Sequence, residues 1–131
     1  MISKYIFDTI KAYLPELTIG ATTHIFPLTL PEGIKPSKFI TYSLLRSSQT
    51  YGLNSATYQI SIFAKVYSDI ETLSAKVQGL FAHKVFATLG DPIATNSGQI
   101  VELPFDRESG YYMRAVDITI NTKKEIENYL Q

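Results

Sequence analysis

The chain contains no cysteine and no tryptophan in its 131 residues. Without cysteine there is no disulfide framework, no thiolate metal site and no cysteine nucleophile. That absence is neutral on compartment and fits a reducing cytoplasm. Net charge is missing too, because 12 Lys+Arg offset 12 Asp+Glu. A neutral chain gives no electrostatic reason for strong binding to nucleic acid or to an anionic membrane. No apolar run approaches the roughly 20 residues that cross a bilayer. The opening segment is broken by Lys4, Asp8 and Lys11, so it lacks the apolar stretch of a secretory leader. The expectation is an intracellular, soluble protein. Its length suits one domain, residues 1–131, able to bury about two thirds of its unfolded surface without a staple.

Recognisable chemistry is also scarce. His24 and His83 are the two histidines, and neither belongs to an HExxH or HxH pattern, so neither is expected to bind metal or act as a base. "GLNSA" has the wrong spacing for a nucleophile elbow, and "SGQI" and "TIGAT" lack the glycines of a phosphate loop. Asp106 and Glu108 fall in an expected turn, where acids are commonly solvated. Asp69 and Glu71 suit the positive end of a helix dipole. Arg114 is expected at a solvated strand end rather than facing inward. No catalytic, cofactor-binding or metal-binding residue is therefore assigned.

What the chain does have is patterning. Ile2, Ile6, Ile10 and Tyr13 or Leu14 recur at helical spacing from about Ser3 to Leu14, and Pro15 ends that helix. Thr22 to Phe26 reads as a short strand. Pro27, Pro31, Gly33 and Pro36 mark a loop crossing. In "KFITYSLL", Ile40, Tyr42 and Leu44 share one face of a strand. Tyr58, Ile60, Ile62, Ala64 and Val66 alternate with polar residues, broken only by Phe63, which is the mark of a half-buried strand. Ser68 and Glu71 then form a capping box. Ile70, Leu73, Val77, Leu80, Phe81 and Val85 make the stripe of a long helix that Gly90 closes.

Residues 99–121 read as a hairpin turning at "DRESG", with Val116, Ile118 and Ile120 inward. Thr122 and Glu125 suggest a second capping box, opening a short C-terminal helix. The fold class is thus α+β: a mainly antiparallel sheet with a long helix packed on one face, plus N-terminal and short C-terminal helices.

Arg46 to Ala56 separates two strands and is polar and turn-rich. It exceeds the usual 2–5 residues of a hairpin loop. It reads either as a solvated tip or as a contact segment that orders on a partner. Arg46 and Tyr51 are of types enriched at protein interfaces, and Leu53 gains by burial. These three are the candidate interface residues.

The layout resembles the tail-terminator, or tail-completion, proteins of long-tailed bacteriophages and prophages. The resemblance runs across nearly the whole chain. Its carriers are the early helix, "HIFPLTLPEGIKPSKFITYSL", "YQISIFAKVYSDIETLSAKVQGLF" and the closing "GYYMRAVDITI". It implies a structural protein of the virion tail, assembled in the bacterial host cytoplasm and without enzymatic activity. It implies a homo-oligomeric ring, a hexamer, that caps the major tail tube protein and meets a head-completion or connector protein. DNA would pass through the ring without sequence-specific binding, and no membrane or cofactor is involved. The alternatives are another phage neck or baseplate connector subunit, a small enzyme with a dispersed site, or a small cytoplasmic ligand- or partner-binding module.

Overall fold

The computed structural model describes residues 2–19, 22–50, 53–81, 84–86 and 93–122. Helix α1 (Ile2–Tyr13) is followed by a short 3-10 turn (Pro15–Leu17), then β1 (Thr18–Ile19), β2 (Thr22–Thr23), β3 (Ile25–Pro27) and β4 (Lys38–Thr50). Strand β5 (Leu53–Ala64) leads directly into helix α2 (Tyr67–Phe81). Strands β6 (Lys84–Phe86), β7 (Ile93–Ser97), β8 (Val101–Asp106) and β9 (Tyr111–Thr122) complete the order. The main sheet runs β3-β4-β5-β9-β7-β6, with β8 also on β9. β7 and β8 lie end to end along one side of β9, against residues 118–122 and 111–115 respectively. The described pairings are antiparallel, apart from β3 with β4.

The alternation in β5 and β9 builds the core. Tyr58, Ile60 and Ile62 of β5, with Val116, Ile118 and Ile120 of β9, are all buried in one cluster with Ile70, Leu73, Val77, Leu80 and Phe81 of α2. Ile6 and Ile10 of α1 join it, as do Leu14 and Leu17 beyond the helix. Leu14 still donates its amide to Ile10 (2.8 Å). Its own backbone, at φ −125° and ψ 68°, has already left the helical region, as the following Pro15 requires.

Several boundaries differ from the sequence expectation. The amides of Asp69 and Ile70 both bond to the Val66 carbonyl (3.1 and 3.3 Å). The helix therefore begins ahead of Ser68, and the expected Ser68–Glu71 capping box does not form its start. The chain turns from β5 into α2 across two residues, so Val66 takes the capping position. That leaves Val66 exposed instead of on the inner strand face. Val85 lies in β6, not on the helix stripe, because α2 ends at Phe81. The expected strand at 22–26 is split at His24 between β2 and β3. Thr122 is the last residue of β9. The proposed C-terminal helix after it, and the Gly90 stop, lie outside the described residues.

The proline-rich crossing at residues 28–37 is irregular, as expected. It is pinned to the sheet by the Tyr111 hydroxyl donating to the Pro36 carbonyl and by the Lys65 amide donating to Ser37 (2.9 Å). Beneath it lies an aromatic cluster on the face of the sheet away from α2. Phe39 stacks on Phe63 at 4.5 Å, and Tyr111 meets Phe39 edge-on at 5.1 Å.

Candidate protein interface

The segment Arg46 to Ala56 is not a long loop. Residues 46–50 and 53–56 are strand, paired rung by rung from Arg46↔Thr57 to Thr50↔Leu53. On its other flank β5 continues to pair with β9 as far as Asn54↔Thr122. The polar stretch is thus the end of the main sheet, fixed from both sides, and not a tip that waits for a partner to order it. Only residues 51 and 52 separate the two strands. The physical reason is that Ser, Thr, Gln and Asn here can sit on a sheet end because the ladder satisfies their backbone groups; no apolar face is needed to signal it.

A bulge at Leu45 decides where Arg46 points. Ile40, Tyr42 and Leu44 lie opposite Ile62, Ile60 and Tyr58 on the inner face, but the next pairs are Arg46↔Thr57 and Ser47↔Ala56. One extra residue in β4 shifts the alternation, as a bulge does. Arg46 therefore falls on the outer face with Thr57, where it is exposed, and not over the core. Leu53 lies opposite Thr50 in the ladder. Tyr51 lies outside the described residues. Two candidates are thus placed on one hairpin, with the bulge visible only in the pairing. Leu44, expected on one face with Ile40 and Tyr42, is 42% exposed and Leu45 is 47% exposed, so the β4 flank carries an apolar patch that the sequence reading did not anticipate.

The opposite flank is β8. Val101 is 54% exposed and Phe105 is also exposed. What ties this strand to the body is Arg114. Expected at a solvated strand end, Arg114 sits mid-β9 with a side chain 17% exposed. Its parity puts it on the inner face with Val116. There it donates to Glu102 of β8 (3.1 Å), to the Tyr67 hydroxyl (3.0 Å) and to the Ser74 hydroxyl of α2 (3.1 Å). Tyr67 in turn donates to Glu102 (2.8 Å). Ser74, a polar residue buried in the helix stripe, also donates to the Ile70 carbonyl (2.7 Å). One guanidinium thus links the edge strand, the central strand and the helix. Its fork of fixed donors suits that role.

The Tyr67 hydroxyl, and then Arg114, hold the Glu102 carboxyl below its ordinary range. A depressed carboxyl adds stability above its unfolded pKa and loses it as pH falls through the folded value. The stability difference between the native chain and Glu102→Gln should therefore be present at neutral pH. It should vanish in acid well below the ordinary glutamate value of 4.5. Urea midpoints for both chains across that range check it; a difference that persists in acid would show that the ion pair contributes nothing.

Other acid and imidazole groups are occupied locally. Asp106 accepts from the Ser109 hydroxyl (2.7 Å) and the Glu108 amide (3.2 Å), which closes the β8–β9 turn and lowers its pKa, the Ser109 bond first. His24 is half-buried beside Phe26. His83 lies outside the described residues. Among the described residues no group of three or more His, Asp or Glu is placed to hold a metal. No helix of the described residues is long and apolar enough to cross a membrane. Two shallow hollows mark the outer face. One of about 290 Å³ is lined by the Phe39, Phe63 and Tyr111 cluster. The other, of about 420 Å³, lies between Gln59, Asp117 and β8.

The class that this architecture defines is an α+β domain: a mostly antiparallel sheet with a helix across one face, and polar residues beside an aromatic cluster on the other. No protein-family model and no curated protein matches the chain. Solved structures do match, 21 chains in all. One that bears no functional name aligns over 95% of this chain and 92% of its own, at 12% identity and a TM-score of 0.60. A chain from the virion of a native gene transfer agent particle aligns over 89% of each, at 12% identity and a TM-score of 0.58. At such identity the likeness is one of fold.

Proposed function

We propose that this chain is a structural subunit of a phage or phage-like particle, and specifically a tail terminator. In that role identical copies form a ring, a hexamer, on the head-proximal end of the tail tube. The ring stops the tube from growing and presents a joint to a head-completion or connector protein. DNA passes through it unread. The observation that supports this most is the match, over 89% of the chain, to a subunit of a gene transfer agent virion. The terminator-like layout of the sequence narrows it. The proposed role calls for no catalytic residue and no cofactor; surfaces do the work.

Deleting the gene from a particle-producing genome tests the assignment. A terminator's loss leaves overlong tubes without heads. A neck connector's loss would leave tubes of normal length that fail to join, and a cytoplasmic binding module's loss would leave particles intact. Either of those results sinks the terminator reading. Complementation with Arg46→Glu should lower the yield of joined tails by about tenfold, equivalent to ~1.4 kcal/mol of contact energy. Its melting curve should be unchanged, since Arg46 is exposed. Full complementation would remove Arg46 from the interface.

A further inference from the structure

The main sheet has two open edges, and they lie diagonally opposite. β3 covers β4 only at Ile40–Tyr42. From Ser43 onward, that flank of β4 has no partner strand among the described residues. On the other side, β7 and β6 cover the far half of β9, while β8 pairs with β9 alone. An edge strand offers unpaired amides and carbonyls to any strand that can reach it. Both edges carry apolar side chains in water: Leu44 and Leu45 on one, Val101 on the other. They also carry opposite charge on the same face. Arg46 lies opposite Thr57, and Asp106 opposite Tyr111, both on the outer side of the sheet. Within one copy the two edges are three strand spacings apart, ~14 Å, so they cannot meet.

We propose that β8 of one copy docks along the open part of β4 in the next, continuing the sheet from subunit to subunit. The proposal rests on the ring reading and supplies its contact. Three antiparallel steps separate β4 from β8, so the two run in opposite directions. A head-to-tail repeat about an axis along the strands brings them together antiparallel. The diagonal placement sets a stagger. β8 sits level with residues 111–115 of β9, and the open part of β4 sits level with residues 117–121. Joining them shifts each copy by about six residues, ~20 Å, across four strands, ~19 Å, which tilts the strands by about 46°. That is at the upper end of the roughly 35–45° that closed sheets adopt. Pro104, which has no amide to donate, keeps the new ladder short and centred on Val101–Leu103. The contact is head-to-tail, the type that closes rings.

Because the chain has no cysteine, introduced pairs report cleanly. The probes, matched to an antiparallel ladder on the outer face, are Leu45→Cys with Leu103→Cys, and Ser48→Cys with Val101→Cys. Each single variant and Tyr13→Cys with Val101→Cys serve as controls. The full chain is oxidised under native conditions and run without reductant, while the mass of the unmodified chain is measured in solution. One cysteine per chain can link only two chains, so a head-to-tail contact predicts a ladder beyond the dimer from an edge pair and none from the controls. The ladder should collapse on reduction. An oligomer that gives no ladder from either pair overturns the edge contact and leaves the ring reading standing. Single variants that dimerise as fully as the pairs cross-link would show a face-to-face contact and also overturn it. A chain that is monomeric at every concentration and gives no ladder overturns both readings.

Discussion

Ile118→Asp should abolish folding, whereas Asp117→Ser beside it should change stability by no more than about 0.5 kcal/mol. The two residues are neighbours on β9, yet they point to opposite faces of the sheet. Ile118 is fully buried opposite Tyr58, and Asp117 is exposed. A carboxylate at Ile118 would lie in the same buried cluster as the α2 stripe, which holds no positive side chain. Desolvating it costs several kcal/mol, and the lost isoleucine burial adds roughly 1.5–3 kcal/mol. Together these rival the about 5–15 kcal/mol that holds a domain folded. At Asp117 the fixed interaction is made by the backbone, whose carbonyl accepts from the Gly98 amide (2.8 Å) and is indifferent to the side chain. Circular dichroism and a melting curve decide the matter. A cooperative transition in Ile118→Asp would show that this face of β9 is not the buried one.

Phe81→Ala should cost about 3–5 kcal/mol. Phe81 closes the last turn of α2, is fully buried, and stands among the largest such side chains in the chain. Its removal forfeits the transfer energy of the ring and leaves a hole that the flanking sheet cannot follow inward, since β5, β9 and β7 are locked in one ladder. The urea midpoint should fall while the slope of the transition stays constant. A cost below about 1 kcal/mol would mean that the end of α2 does not seat in the core, which would also undo the packing assigned to Leu80.

The core was legible in the sequence because alternation and helical stripe are local signals that tertiary structure preserved. Tyr58 to Ala64, Val116 to Ile120, and Ile70 to Phe81 all read correctly from spacing. Arg46 to Ala56 did not, because a strand with polar residues on both faces carries no alternation to read; its pairing is imposed by β4 on one side and β9 on the other. The Leu45 bulge, which turns Arg46 outward, is a property of register between strands and has no local signature. Strands β6 and β7 were missed for a related reason, being short pieces held by β9. Arg114 is the instructive case. Period two placed it inward with Val116, but the general rarity of buried arginine argued for solvent. The partners that make the inward position tenable, Tyr67, Ser74 and Glu102, come from two other elements and meet it only after α2 has docked.

The order of strands in space also bears on how the chain is made. β9, at the middle of the sheet, is the last of the described strands in sequence, and β5 on one side and β7 on the other both depend on it. A ribosome adding ~5–20 residues per second takes on the order of 3–12 s to travel from the end of β5 to the end of β9. Throughout that interval the inner flank of β5 is an open template, and α2 has only half a floor to lie on. The polar end of the β4–β5 hairpin, and the bulge that turns its arginine outward, then keep the waiting half-sheet in water until its centre arrives.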